Sequence, residues 1–213
     1  VIKLDSFVSG TKLNALLESW KTDYLLLMLP GGPVELGARA LERFVQVADD
    51  SGAGWVYSDF RERNGEAITD HPLIDYQSGS IRDNFDFGSV LLLSRKVVDV
   101  ALRQHGAVND SLQWGALYDL RLKLSMDSAV MRIPEPLYTR GLVDARASGE
   151  KVFDYVDPHK RDYQIEMEQI ATAHLRRIGA HLAPDFAAVP ESGETFPVTA
   201  SVIIPVRNRV KTI

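Results

Sequence analysis

The chain has 213 residues, 45% hydrophobic and 25% charged, and 24 basic against 29 acidic residues leave a net charge of -5. This is the composition of a globular protein with a sizeable core, and the mild acidity argues against nucleic acid and anionic membrane surfaces as main partners. The absence of cysteine excludes disulfides and thiolate chemistry, no apolar run reaches membrane-spanning length, and no signal peptide is visible. The chain opens at Val1 and closes at Ile213 just after a strand-like run, which reads as a piece of a longer protein.

The elements alternate between helix and strand. Residues Thr11 to Trp20 carry Leu13, Leu16, Leu17 and Trp20 at helical spacing. Tyr24 to Leu29 (YLLLML) is a buried strand ending in the loop Pro30-Gly31-Gly32-Pro33, which leads into a helix over Gly37 to Asp49. Gly52 and Gly54 stop that helix, and Gly54 to Phe60 is a second strand. Arg61 to Asn84 is polar, with a hairpin turn expected at Arg63 to Glu66. A strand is expected over Phe87 to Leu93 and a helix over Val97 to His105, which Gly106 ends. Asn109 to Trp114 supply capping residues for a helix through Leu124. Ala129 to Arg140 is a strand broken by two prolines, and Gly141 to Lys160 a long polar connection. The clearest helix is Asp162 to Ile178, with Tyr163, Met167, Ile170 and His174 in its stripe, and Gly179 ends it. A proline-containing linker then leads to a strand in TASVIIPVRNR. The pattern indicates an α/β sheet with helices on its faces.

Six landmarks in order resemble family 2 glycosyltransferases of the GT-A fold. Leu13-Asn14-Ala15 lies in a helix before the apolar strand YLLLML, and GARALERFVQVAD (Gly37 to Asp49) is similar to the helix that follows the family's metal motif. The strand AGWVYSDF, the acceptor-side strand FDFGSVLLLSRKVV (Phe85 to Val98), the run LYDLRLKL (Leu117 to Leu124) and the strand MRIPEPLYTR (Met131 to Arg140) follow in the family's order. ASVIIPVRNR (Ala200 to Arg209) resembles the first strand and nucleotide-binding loop that open such a domain, an element missing from the start of this chain. The resemblance implies a GT-A-like, Rossmann-related mixed sheet flanked by helices and incomplete at the N-terminus. It divides the chain into a core over 1–140, a connection, helix and linker over 141–190, and the start of a further nucleotide-binding element over 198–213. A permuted first strand that folds back is the other reading of that tail.

Inverting sugar transfer needs a divalent metal on the diphosphate, a base for the acceptor hydroxyl and a nucleotide pocket. The resemblance places the metal-binding DxD motif at Leu29 to Gly32, where no side chain bears an oxygen, so this segment is expected to hold no metal and Mn or Mg belongs to the full-length enzyme. The bland reading of LPGGP is a tight connection; the functional one is a glycine-lined nest for an anion. The base position falls on Ala116 and Leu117, with Asp119 two residues beyond the position of the expected aspartate. Asp119 is either a base on a shifted helix or a surface acid paired with Lys123. Asp59 ends a strand, where ligands gather in open α/β sheets, or else caps a turn. Asp83 stands two residues before Phe85 and Asp86 between Phe85 and Phe87, while Asp86, Phe87, Gly88 and Ser89 match the sugar- or acceptor-contacting stretch. Trp114 offers a stacking face for a sugar or packs in the core. Pro205, Arg207 and Asn208 match the nucleotide-binding loop. The five histidines show no zinc-like clustering, and His174 reads as a core histidine.

The first expectation is a degenerate or accessory module of an enzyme that moves sugar from a nucleotide-sugar donor to a glycan or lipid-linked acceptor. It would pack on an adjacent glycosyltransferase domain, in the cytoplasm, peripheral to the inner membrane through its acceptor. The second is a non-catalytic module that binds glycan or docks a neighbouring domain around Phe87, Ser89 and Trp114. The third is an unrelated α/β domain.

Overall fold

A computed structural model of the chain describes residues 9–141 and 161–188. Most of the polar connection and all of the tail strand, with Pro205, Arg207 and Asn208, lie outside the described residues. Contacts divide the chain into Val1–His181 and Leu182–Ile213. Every described helix and strand belongs to the first unit.

In order these are α1 (Gly10–Ser19), β1 (Tyr24–Met28), β2 (Val34–Leu36), α2 (Ala40–Ser51), β3 (Trp55–Asn64), β4 (Ala67–His71), β5 (Val90–Ser94), α3 (Arg95–His105), α4 (Ala116–Asp127), β6 (Val130–Gly141) and α5 (Arg161–Arg177). The strands form one sheet in the order β1-β5-β3-β6-β2, with β4 paired to β3. Only β3 and β6 run parallel; the other pairs are antiparallel. The architecture is therefore a mixed sheet flanked by helices.

Local chemistry accounts for the boundaries. Ser9 caps α1 by accepting from the Lys12 amide, and Gly52, at φ 68°, ends α2 in the left-handed region where a Cβ is costly. Gly65 and Glu66 make the two-residue hairpin loop between β3 and β4, with Asn64 opposite Ala67. β3 runs past Phe60 to Asn64 because β4 and the end of β6 both pair with its second half. β5 starts at Val90, later than the run from Phe87 suggests. Phe85 and Phe87 turn into an aromatic cluster with Tyr57 and Tyr76, and Gly88 takes φ 72° where a Cβ would overlap the Tyr138 hydroxyl.

β2 is not foreshadowed in the sequence. It is a three-residue edge strand that pairs Val34 to Leu36 with Arg140 to Tyr138, extended by the Gly141 amide donating to Pro33 O at 2.9 Å. The two prolines expected to break the last strand do not end it. The register slips between Ser58↔Ile133 and Phe60↔Tyr138, so Pro134 and Pro136 sit in a bulge where no ladder amide is needed.

The core runs through β3 and β5, with Val56, Tyr57, Phe60, Leu91 and Leu93 fully enclosed. α4 meets α1, α3 and α5, and Ala116 and every residue from Tyr118 to Leu124 is buried. α5 packs on α4 by a specific polar contact. The Glu166 carboxylate accepts from the amides of Gln113 (2.8 Å), Trp114 (2.8 Å) and Gly115 (2.6 Å), capping α4 from another helix. Gly115 has no room for a Cβ, which would overlap the Ile170 side chain.

Replacing Glu166 by Ala strands three amides at the start of α4. The expected loss is about 2 kcal/mol, read as a fall of roughly 4–8 °C in melting temperature. A melting temperature equal to that of the parent protein would show that water replaces the carboxylate at no cost.

Candidate functional site

The loop after β1 is built from both ends. Leu29 donates to Ser89 O at 2.8 Å, which ties the strand's exit to the entry of β5. Gly31 and Gly32 take φ 148° and 127°. The space beside Gly31 faces Ser89 Oγ and the Arg140 side chain, 3.6 and 3.9 Å from where a Cβ would stand. Arg140 is the charge closest to the glycine pair among those atoms. It donates to Glu62 Oε1 at 2.5 Å and Ser89 Oγ at 3.3 Å, and its guanidinium lies 4.5 Å from the Phe60 ring centre. Its Nε is buried without a partner among the described residues.

Aromatic stacking carries the cluster outward. Phe60 stacks on Tyr138 and on His71, with ring centres at 5.2 and 4.4 Å. His71 stands 3.6 Å from both Glu62 and Asp86. The Tyr138 hydroxyl accepts from the Ser89 amide at 2.6 Å. Burial pushes that phenol up to about 12, so it stays protonated at neutral pH. Asp86 accepts from the Gly88 amide at 2.8 Å and shapes the turn into β5. Phe87 is half-buried in the aromatic cluster and Ser89 is buried. Glu62, His71, Tyr138 and Arg140 had no signal in the sequence. They become neighbours only once Glu62 is registered opposite Arg140 and Phe60 opposite His71.

Asp59 lies inside β3 rather than at its end. Its carboxylate accepts two Arg132 hydrogen bonds, each 2.8 Å, and the Leu73 amide at 2.9 Å. Burial works to raise its pKa, and the Arg132 hydrogen bonds, the Leu73 amide and the charges of Arg132 and His71 together hold it below the usual aspartate value. Its oxygens are thus committed to protein donors.

Asp119 is paired with Lys123 at 2.7 Å, as i,i+4 spacing allows, but the pair is buried, with only 10% and 4% of the side chains exposed. The surface acid of the sequence reading is therefore an interior one, because α5 covers that side of α4. Lys123 also donates to Ala107 O at 2.7 Å. Trp114 is exposed rather than packed in the core, and meets Tyr163 edge-on at 6.3 Å. Asp83 lies near buried Arg121, whose guanidinium rests over Tyr76, Phe87 and Tyr118 and donates to Arg82 O.

The structure does not gather Asp59, Asp86 and Asp119. Each is held by different partners, on β3, before β5 and on α4. Among the described residues no group of three histidine or acidic residues is placed to hold a metal ion. The loop Leu29 to Gly32 supplies no oxygen-bearing side chain, and Arg140 beside it is a cation, so these residues do not fit a divalent metal.

No protein-family model and no curated protein matches the chain. A crystal structure of S. aureus TarS 1-349 is similar over 78% of this chain and 44% of its own length, at 10% identity and a TM-score of 0.49. The chain thus spans less than half of that protein chain. No helix among the described residues is long and apolar enough to cross a membrane.

Two predictions come from the committed charges. Arg132→Leu leaves the Asp59 carboxylate enclosed without its cation and is expected to cost about 3 kcal/mol in a urea titration. Adding Asp59→Asn should return much of that loss; a double variant no more stable than the single one would show that the pair is not coupled. His174 is buried, and burial followed by the charges of Arg177 and Arg121 lowers its pKa, against the pull of Asp119. A depressed folded pKa means that the unfolded chain takes the proton first, so this contribution is whole above about pH 6.5 and drains away as pH falls below it. Thermal melts from pH 8 to pH 5 should show a steeper decline for the parent protein than for His174→Gln; equal slopes would remove His174 as the cause.

Proposed function

We propose that this chain is a glycosyltransferase-like module of the family 2 type that does not itself carry out transfer. Its parent moves a sugar from a nucleotide-sugar donor to a glycan or lipid-linked acceptor. The ordered landmarks in the sequence support the family assignment, and the mixed sheet flanked by helices agrees with it. The observation that carries the module's inactivity is the pairing of its two buried aspartates. Asp59 is closed by Arg132, and Asp119 by Lys123. A general base must meet its substrate's proton with an uncompensated carboxylate, and each of these two is already ion-paired with an enclosed cation.

In this reading the Mn or Mg and the nucleotide contacts, Pro205, Arg207 and Asn208 among them, belong to an adjacent domain on which this one packs. Of Phe87, Ser89 and Trp114, only Trp114 is exposed enough to face a glycan, Ser89 being buried and Phe87 half-buried, and a cytoplasmic setting follows from the donor's location.

Calorimetric titration of the 213-residue chain with UDP and UDP-sugars, with and without manganese, tests the reading. The expected result is no manganese-dependent heat and no release of UDP from UDP-glucose or UDP-N-acetylglucosamine. Manganese-dependent binding together with UDP release would overturn it and return the acids to a catalytic role.

A further inference from the structure

We propose that the cavity between α4, α5 and the loop that follows α3 is a binding site for a neutral, polyhydroxylated ligand, a mono- or disaccharide. The cavity measures about 480 Å³, within the range of small-molecule sites. Its place in the fold differs from that of the β1 loop: none of Gly31, Ser89 or Arg140 lines it. The ligand class follows from the lining alone and holds whether or not the parent protein is a transferase.

The lining offers unspent hydrogen-bonding capacity of both kinds. Lys123 uses two of its three ammonium hydrogens on Asp119 and Ala107 O, which leaves one among the described residues. Arg177 has a buried Nη1 with no partner among the described residues. These are donors. Asp119 receives Lys123 on Oδ2 and keeps Oδ1, and Asp162 on the first turn of α5 adds a second carboxylate. Gln169, exposed on the same helix, both donates and accepts. Leu112 and Ile170 supply the apolar part of the wall.

Charge decides among ligand classes. Glu166 also lines the cavity, but its oxygens are spent on the amides that start α4. What remains is two cations, Lys123 and Arg177, and two anions, Asp119 and Asp162, with Lys123 paired to Asp119 and His105 held by Asp127, so neither sign of charge prevails in the lining. An anionic ligand gains the first pair and is repelled by the second, and a cation meets the reverse. A sugar hydroxyl gives one hydrogen and accepts others, so it satisfies both pairs, while the ring's C–H face lies on the apolar residues. Trp114 stands at the same end, its amide bound to Glu166 and its ring exposed beside Tyr163. An open, solvated site of this kind binds weakly, on the order of millimolar.

The test is an NMR titration of ¹⁵N-labelled full chain with glucose, galactose, N-acetylglucosamine and maltose, alongside inorganic phosphate and methylammonium as charged probes. Saturable shifts are expected for at least one neutral sugar, confined to residues 105–115, 119–123 and 162–177, with neither charged probe competing. Asp162→Ala with Gln169→Ala, both exposed, should weaken binding about tenfold at an unchanged melting temperature. Ala173→Phe, at an exposed lining position, should block binding by filling the space. No saturable shift with any of the sugars overturns the proposal. So do shifts centred on Ser89 and Arg140, tighter binding of phosphate or methylammonium, or variants that bind as the parent does.

Discussion

A single carboxylate sets how the helical layer is assembled. Glu166 reaches from α5 to three consecutive amides at the start of α4, and so supplies from 51 to 53 residues away what a local cap usually supplies. α4 has no side-chain cap of its own, since Gly115 stands at the cap position. The contact fixes the register of α5, and that register demands the glycine, because Ile170 and Met167 press where a Cβ would be. The same packing holds Trp114 at the surface, roofs the Asp119–Lys123 pair and leaves the cavity beneath α5. One long-range electrostatic contact thus decides four local features.

The burial of α4 on every side explains why its charges are paired as they are. Leu120, Leu122 and Leu124 would be expected to face a core and Asp119, Arg121 and Lys123 to face water. With both sets enclosed, each charge has to be compensated in place, because a desolvated lone ion costs several kcal/mol. Asp119 and Lys123 neutralise each other. Arg121 forms no salt bridge among the described residues; Arg82 O, three aromatic faces and the nearby Asp83 charge compensate it, and burial still lowers its pKa. A cation held this way is tolerable at the base of an aromatic cluster and would be expensive in aliphatic surroundings.

These relations also mark what could be read from the sequence. The helix over 162–178, the hairpin turn within Arg63 to Glu66 and the glycine helix stops depend on neighbours a few residues apart and were legible, whereas YLLLML was legible as a strand but not as an edge: β1 stands at one end of the sheet, with only Leu27 buried and Met28 exposed. β2 was not: three residues after a proline carry no periodicity, and the strand exists because β6 offers it an edge. The start of β5 was misread because apolar Phe85 and Phe87 pack as a cluster rather than as strand residues. Asp59 looked like the end of a strand because its partner Arg132 is 73 residues away. The Asp119–Lys123 pair was legible as an i,i+4 contact, but its depth was not, since depth comes from α5.

The loop after β1 follows the same logic at the candidate site. A metal-binding loop needs carboxylates converging on a point, with their mutual repulsion relieved by the ion. Here the glycines remove side chains from that point, and the group that lines the space is a guanidinium. Arg140 is held there by Glu62, by Ser89 and by the face of Phe60. Glu62 is committed to that cation, so it brings no free negative charge to the loop. A divalent cation entering beside Gly31 would meet a fixed positive charge at short range in a partly buried setting, where screening is weak. Placing acids in the loop would therefore not by itself make a metal site; Arg140 would have to go as well. The misfit of this loop to a divalent metal is thus written twice, once in its own glycines and once in the strand packed beside it.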